Sequence, residues 1–322
     1  MGKCGCSPCR ANSGYICESN LIILVLGGSG FIGSHIVHAL TQGGHDVRIF
    51  DRSHKNNFHG SVEFYSSDFS DSMALNEALI GVDIVIHMIS TSVPSTSNKD
   101  PISDVNGNLI NTLRLLDAMR QSDVKRIIYF SSGGTVYGHP EVIPIPESHT
   151  SNPVCSYGIV KLAIEKYLLM YQELYGFQCT ILRPSNPYGI GQMHNGIQGF
   201  IGTCIHSALK KTTLTLWGDG SVVRDYIYIS DVVAATLMIL NKNLSGIYNV
   251  GSGKGHSLLQ IIEAVQDITG QNIDIEFKAK RSFDIPEMIL DTDKIYRSCG
   301  WKPIIDITTG IQNTVRSIES MS

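Results

Sequence analysis

A tyrosine and a lysine stand four residues apart in "SYGIVKLAIEKYLLMYQELYG" (156–176), as Tyr157 and Lys161. The stretch reads as one helix stopped by Gly176, so the two side chains share a face one turn apart. A phenol beside an ammonium group can move protons. At an ordinary pKa of about 10 the phenolate is scarce near pH 7, and a neighbouring cation favours it. Tyrosine and lysine also meet by chance on helix faces, so the pair alone decides nothing.

A second stretch offers a place for a phosphate. "LGGSGFIGSHIV" follows an apolar run and opens a helical pattern, with Gly27, Gly30 and Gly33 at G-x-x-G-x-x-G spacing and Phe31 and Ile32 beginning the helix. Glycine permits the tight turn and close backbone approach to a pyrophosphate, and the helix N-terminus adds partial positive charge. Asp51 ends the next apolar run, 18 residues after Gly33. A carboxylate there accepts hydrogen bonds from an adenosine ribose diol and repels a 2′-phosphate, which favours NAD over NADP. Arg52 beside it weakens that exclusion, and a loop-capping aspartate is the bland alternative.

These groups need a scaffold. From residue 21, short β-branched runs ("LIILVLG", "HDVRIFD", "VEFYSSD", "VDIVIHMIS", "VKRIIYFSS", "CTILRPS") alternate with helical patterns such as "NGNLINTLRLLDAMRQS". Continuous apolar strands separated by helices predict a parallel sheet covered on both faces. After "LRPSNPYG" glycine and loops increase, while "YIYISDVVAATLMIL" and "GIYNVGS" read as a return to the main sheet. The expected division is a mobile Cys-rich tail over 1–20, a nucleotide-binding domain over 21–186 plus 226–250, and a smaller lobe over 187–225 plus 251–322. The cleft between the lobes is the expected active site.

Composition sets limits. A net charge of −4 with no basic stripe argues against nucleic acid, and no apolar run approaches the roughly 20 residues that span a bilayer. The reading is a cytoplasmic protein with no membrane partner. Cys4, Cys6, Cys9 and Cys17 crowd the first 20 residues without the paired arms of a zinc ribbon or a nearby histidine, so no metal is expected.

The glycine loop, "SSGGTVYG" (131–138), "YGIVK" (157–161) and "LRPSNPYG" (182–189) occur in one order over residues 21–322. Together they resemble the extended short-chain dehydrogenase/reductase superfamily, and within it the NAD-dependent nucleotide-sugar epimerases and dehydratases. The resemblance implies an α/β fold, a Rossmann-type doubly wound parallel sheet with a smaller α/β C-terminal substrate lobe. It implies C4 epimerisation of a UDP-sugar of the UDP-glucose/UDP-galactose type, through a 4-keto intermediate with tightly held NAD, and a homodimer. A 4-keto-sugar reductase and a non-catalytic sugar-nucleotide or NAD binder are the competing readings.

Residue by residue, the resemblance makes Tyr157 the base and Lys161 the holder of the nicotinamide ribose that also depresses the phenol pKa. Asp68 and Asn108 match cofactor contacts. Asn186, Trp217, Arg224, Arg281 and Asp284 match groups around the substrate's diphosphate and nucleoside. The acid pair of the dehydratases is replaced by Gly134 and Thr135, which disfavours that reaction. Two departures remain. Gly133 stands where relatives place a serine or threonine on the reacting hydroxyl, and "HMIS" (87–90) stands where His-x-Ala-Ala is usual. Ser132 and Thr135 are the candidate replacements. An extended backbone would return Thr135 to the face of residue 133 and turn Ser132 away, so Thr135 is expected to orient the sugar, with a water admitted by the paired glycines as the main alternative.

Overall fold

The computed structural model describes residues 20–53, 58, 62–192, 199–280 and 285–321. Along the chain run β1 (Ile22–Leu26), β2 (Asp46–Asp51), β3 (Val62–Ser66), β4 (Ile84–His87), β5 (Arg126–Phe130) and β6 (Gln178–Pro184). After them come β7 (Asn186–Tyr188), β8 (Leu214–Trp217), β9 (Val223–Tyr228), β10 (Gly246–Val250), β11 (Gly255–Ser257), β12 (Ile275–Lys278) and β13 (Glu287–Met288). Seven strands form one parallel sheet in the order β10-β6-β5-β4-β1-β2-β3. The chain winds outward from β1 to β3, then crosses back to β4 on the other side of β1. The β1/β4 ends are therefore the switch point where such sheets open a ligand crevice.

Strand alternation explains how both faces are covered. Ile23 and Val25 of β1 join the core under the helices Phe31–Gln42 and Ile229–Asn241, while Leu24 and Leu26 join the core under Asn111–Gln121 and Ser156–Tyr175. All four residues of β4 are buried, as the unbroken apolar run predicts for an inner parallel strand.

One expectation is corrected by the second sheet. "YIYIS" does not return to the main sheet. Its residues end β9, which pairs in parallel with β7 and β13 and antiparallel with β11. Only the helix after β9 and then β10 rejoin the large layer. An apolar run signals burial without saying in which sheet, and β9 lies over the separate core that contains Tyr226, Tyr228 and Ile261. β8 and β12 form a further two-stranded parallel pair.

The two layers meet on a buried carboxylate. Asp225 accepts hydrogen bonds from the Ser185 hydroxyl after β6, from the Ser252 amide and hydroxyl after β10, and from the amides of Gly253 and Leu290. Burial pushes its pKa up, while these donors work in the opposite direction. Its neighbours Arg224 and Asn186 are thereby held near the main sheet.

Candidate active site

The glycine loop forms as expected between β1 and the helix Phe31–Gln42. Gly27 has φ of +84°, and a Cβ on Gly33 would stand 2.1 Å from the Gly27 carbonyl oxygen. No side chain fits there, so helix and loop touch backbone to backbone. Gly30 caps the helix without a side-chain bond, leaving the first-turn N–H groups, including those of Phe31 and Ile32, to an outside acceptor.

A cavity of about 540 Å³ opens beside this loop, lined by Gly27, Gly30, Asp51, Asp68, Ser90 and Asn111 among others. Its size is ordinary for a cofactor site. Asp51 combines both roles considered for it: it accepts from the Ser29 amide at 3.1 Å and lines the cavity. The Ser70 hydroxyl and amide bind Asp68 and hold its carboxyl below the usual range. Asn108 is not a free cofactor contact. It sits in the π-helical turn Val105–Ile110, accepts from the Thr91 amide and donates to Thr91 and Asp104. The amide latches the loop after β4, and that loop lines the cavity.

Tyr157 and Lys161 lie in the first turns of their helix, against the ends of β4 and β5. Lys161 is buried, and its Nζ donates to the Phe130 carbonyl at 2.8 Å. The ammonium lies 4.9 Å from the Tyr129 ring centroid and 5.6 Å from that of Tyr157. The expected effect of this lysine on the phenol is not what the structure shows. Burial comes first and pushes the Tyr157 phenol up to about 12, with Cys155 and Asp104 adding to it and the hydroxyls of Ser90 and Ser132 opposing it. Burial also lowers Lys161 to about 8, against the raising influence of Glu165 and Asp104.

The loop at 131–138 also differs from the extended form expected of it. The backbone is not extended past Ser132. The amides of Thr135 and Val136 both donate to the Ser132 carbonyl, so the paired glycines make a turn. Ser132, before the turn, is near enough to the Tyr157 phenol for its hydroxyl to favour the ionised form. Thr135 Oγ1 is buried without a hydrogen-bond partner. Gly133 has no room for the missing serine, because a Cβ there would meet Leu290 Cδ1 at 2.5 Å and the Arg183 carbonyl oxygen at 2.9 Å.

On the opposite side, Asn186 Nδ2 donates to the Asp225 carbonyl at 2.7 Å. Its Oδ1 lies 4.0 Å from where a Cβ on Gly134 would stand, so it faces the turn at Gly133 and Gly134. Arg224 Nη1 donates to the carbonyls of Val223 and Ile285, anchoring β9 near the start of β13. Trp217 ends β8 with an exposed ring, paired in register with Lys278 of β12. Arg281, Asp284 and the four cysteines of the tail lie outside the described residues. Among the described residues, no cluster of three or more His, Cys, Asp or Glu could hold a metal, and no helix is long and apolar enough to cross a membrane.

Sequence reasoning missed Ser90, Asp104, Glu165, Arg183 and Asp225. Their only signal was polarity inside apolar or helical patterns.

A doubly wound sheet with a glycine loop, an acid after its second strand and a half-buried tyrosine beside a buried lysine defines a dinucleotide-binding class of protein. The chain belongs to the NAD dependent epimerase/dehydratase family, whose sequence model matches residues 23–251. It is 36% identical to a UDP-glucose 4-epimerase of Halalkalibacterium halodurans, over 88% of this chain and 91% of that one. The structure resembles a Thermotoga maritima UDP-glucose 4-epimerase solved with UDP-glucose, at TM-score 0.88 and 31% identity, covering 94% of this chain and 99% of that one. It equally resembles a Thermus thermophilus UDP-glucose 4-epimerase solved with NAD, at TM-score 0.88 and 32% identity, covering 94% and 100%.

Proposed function

We propose that this protein interconverts the C4 epimers of a UDP-hexose of the UDP-glucose/UDP-galactose type, with NAD held beside the glycine loop. The observation that carries the reading is the placement of Tyr157, Ser132 and Lys161 at the ends of β4 and β5, next to the cavity bounded by Gly27 and Asp51. The residues present fit a dinucleotide. Uncapped first-turn amides and a glycine-rich loop receive the pyrophosphate, and Asp51 offers acceptor oxygens to a ribose.

When bound, NAD supplies the redox chemistry at C4. This chain's residues manage protons and position. Tyr157 takes the proton of the C4 hydroxyl as the 4-keto sugar forms and gives it back when the opposite epimer forms. Ser132 aligns that hydroxyl with the phenol. Lys161 uses one of its three donors on the Phe130 carbonyl and keeps two for ribose hydroxyls. Asn186 and Arg224, with Arg281, Asp284 and Trp217, hold the diphosphate and nucleoside while the keto sugar turns. Residues 21–185 plus 229–250, which carry the seven-stranded sheet and its helices, serve as the cofactor domain, and 186–228 plus 251–322 as the substrate lobe.

The helix Ser156–Tyr175 leaves Ile159, Tyr167, Met170 and Leu174 exposed, which supports a homodimer through this face. Tyr157→Phe tests the central assignment. Turnover of UDP-galactose to UDP-glucose should fall at least about a hundredfold while NAD binding persists. Near-parent turnover would remove Tyr157 from the mechanism.

A further inference from the structure

The helix Ser156–Tyr175 does not cap itself. Cys155 stands at its N-cap with no side-chain bond to the first turn, so the leading amides need acceptors from elsewhere. One segment supplies them. The Ser156 amide donates to Asn98 Oδ1 at 2.8 Å, and the Tyr157 amide donates to Ser97 Oγ at 3.1 Å. Ser156 Oγ donates to Asp104 Oδ2 at 2.6 Å. Asn98 follows the short helix Pro94–Ser97, and Asp104 ends the short helix Pro101–Asp104.

We propose that Asp104 is a positioning residue that fastens the start of the Tyr157 helix to the wall of the cofactor cavity, so that dinucleotide binding sets the phenol in place. The inference rests on the reading of Tyr157 as the proton-transfer group and of the cavity as the NAD site.

The segment that caps the helix is itself that wall. Ser90, Ser92, Ser97 and Asp104 line the same space of about 540 Å³ as Gly27 and Asp51. A dinucleotide held by the glycine loop shares its cavity with the residues that hold the helix.

Asp104 is built as a junction. It is 2% exposed, and among the described residues it has no ion-pair partner. Three side-chain donors hold its charge instead. Oδ1 accepts from Ser92 Oγ at 2.6 Å and from Asn108 Nδ2 at 2.8 Å, while Oδ2 takes the Ser156 hydroxyl. An ionised carboxylate only accepts, so the wall, the π-helical turn and the Tyr157 helix all direct donors to one group. Asn108 holds the wall as well, since its Oδ1 accepts from the Thr91 amide at 2.8 Å. Contact there is close: a Cβ on Gly107 would stand 2.5 Å from Thr91 Oγ1. Ser97 and Asn98 bind only backbone amides of the helix. Asp104 alone of the three acceptors also binds the loop after β4 and the π-helical turn.

The consequence is a coupling between two places. Whatever restrains the wall also restrains the first turn of the helix, and the rate depends steeply on where the phenol sits. A misplacement of about 1 Å can cost on the order of a hundredfold.

Hydrogen exchange reads the coupling directly. In the parent, saturating NAD should slow exchange of the amides at 156–161 by at least about fivefold, the low end of coupling between sites. In Asp104→Ala, NAD should still protect the glycine loop, but the added protection at 156–161 should fall below about twofold. Turnover of that variant should drop at least about tenfold in kcat, with KM for the UDP-sugar changed less than about twofold. Ser156→Ala cuts the same bond from the helix side and leaves Asp104 its other two donors, which guards against a folding defect. It should lose the added protection and slow kcat about threefold or more, and Ser156→Thr, which keeps the hydroxyl, should restore both. The double variant should be no slower than Asp104→Ala alone. NAD-induced protection at 156–161 that survives both alanine variants overturns the proposal, as does a loss that Ser156→Thr fails to restore. A raised KM with unmoved kcat overturns it as well, assigning Asp104 to the sugar nucleotide. Exchange is read without turnover, so intact coupling in a protein that interconverts no UDP-hexose sinks the functional reading alone. Epimerisation by a parent whose helix start gains no protection from NAD sinks this inference alone.

Discussion

Two buried cations sit behind the same strand ends and are treated in opposite ways. Arg183 on β6 is held by Glu165 through two nitrogens, and Glu165 also accepts from the Ser131 hydroxyl. Burial works against the guanidinium charge, but the hydrogen bonds and charge of Glu165 outweigh it and keep Arg183 above its ordinary range. Lys161 is four residues before Glu165 on one helix, where a Lys–Glu pair is the local expectation. The carboxylate goes to Arg183 instead. Among the described residues Lys161 keeps one hydrogen bond, to a carbonyl, and burial lowers it to about 8. A completed ion pair is architecture. A cation left short of partners at a cavity edge is one reserved for a ligand, and Lys161 fits that description.

Breaking the architectural pair should have the largest effect. Glu165→Ala leaves Arg183 buried and uncompensated, and should lower stability by about 3–5 kcal/mol in a denaturant titration. Replacing both partners, Glu165→Leu with Arg183→Met, should recover most of that loss. A single variant within about 1 kcal/mol of the parent would contradict the assignment of this pair to the fold.

Removing the reserved cation should act in the other direction. Lys161 titrates at about 8 in the folded protein against 10.5 ordinarily, so the folded state binds fewer protons between those values. Parent stability therefore rises with pH across that window, and the relative stabilisation is lost as pH falls through about 8. Lys161→Met escapes the penalty. At neutral pH it should be more stable than the parent by on the order of 2–3 kcal/mol, with the gap closing towards pH 10.5, while turnover falls at least tenfold. Melting curves across that range check the sign. A variant less stable than its parent at pH 7 would mean that Lys161 contributes to stability after all.

Asp51 is an intermediate case, bonded to its own loop yet facing the cavity. Asp51→Ala should weaken NAD binding about tenfold and reduce the preference over NADP, since a ribose acceptor and a repelling charge go together. Titrating both dinucleotides tells whether the carboxylate serves the loop alone, in which case both affinities fall equally.

What could be read beforehand follows the distance over which each feature is encoded. The glycine loop, Asp51 and the Tyr157–Lys161 pair each occupy one strand–turn–helix or one helical turn, so spacing was enough. The Arg183–Glu165 pair and the Asp225 hub join segments 18 to 65 residues apart, and no local pattern carries them. β9 went to the wrong sheet because "YIYIS" is apolar wherever it is buried. The turn at Gly133 is different: two adjacent glycines are a turn signal, and the extended backbone assumed there ignored it.

The smallest expected effect belongs to Thr135, and it separates the two residues once compared for one role. Ser132 and Thr135 share a turn, but only Ser132 reaches the phenol. Thr135 Oγ1 is sealed from solvent and makes no hydrogen bond, so a sugar hydroxyl has no path to it in this conformation. Thr135→Val preserves its shape and removes an oxygen that has no partner. Nothing is left unsatisfied, so stability should stay the same or rise by up to about 1 kcal/mol, and kcat should remain within about twofold. Ser132→Ala removes a bond to a group that becomes charged, and should slow turnover on the order of tenfold or more. Gly133→Ser cannot rescue it, because the new side chain runs into Leu290 and the Arg183 carbonyl; it should itself lower stability by about 1–3 kcal/mol. If Thr135→Val proves the slower variant, the turn must open when sugar binds, exposing that oxygen to the reacting hydroxyl. The assignment would then pass from Ser132 to Thr135.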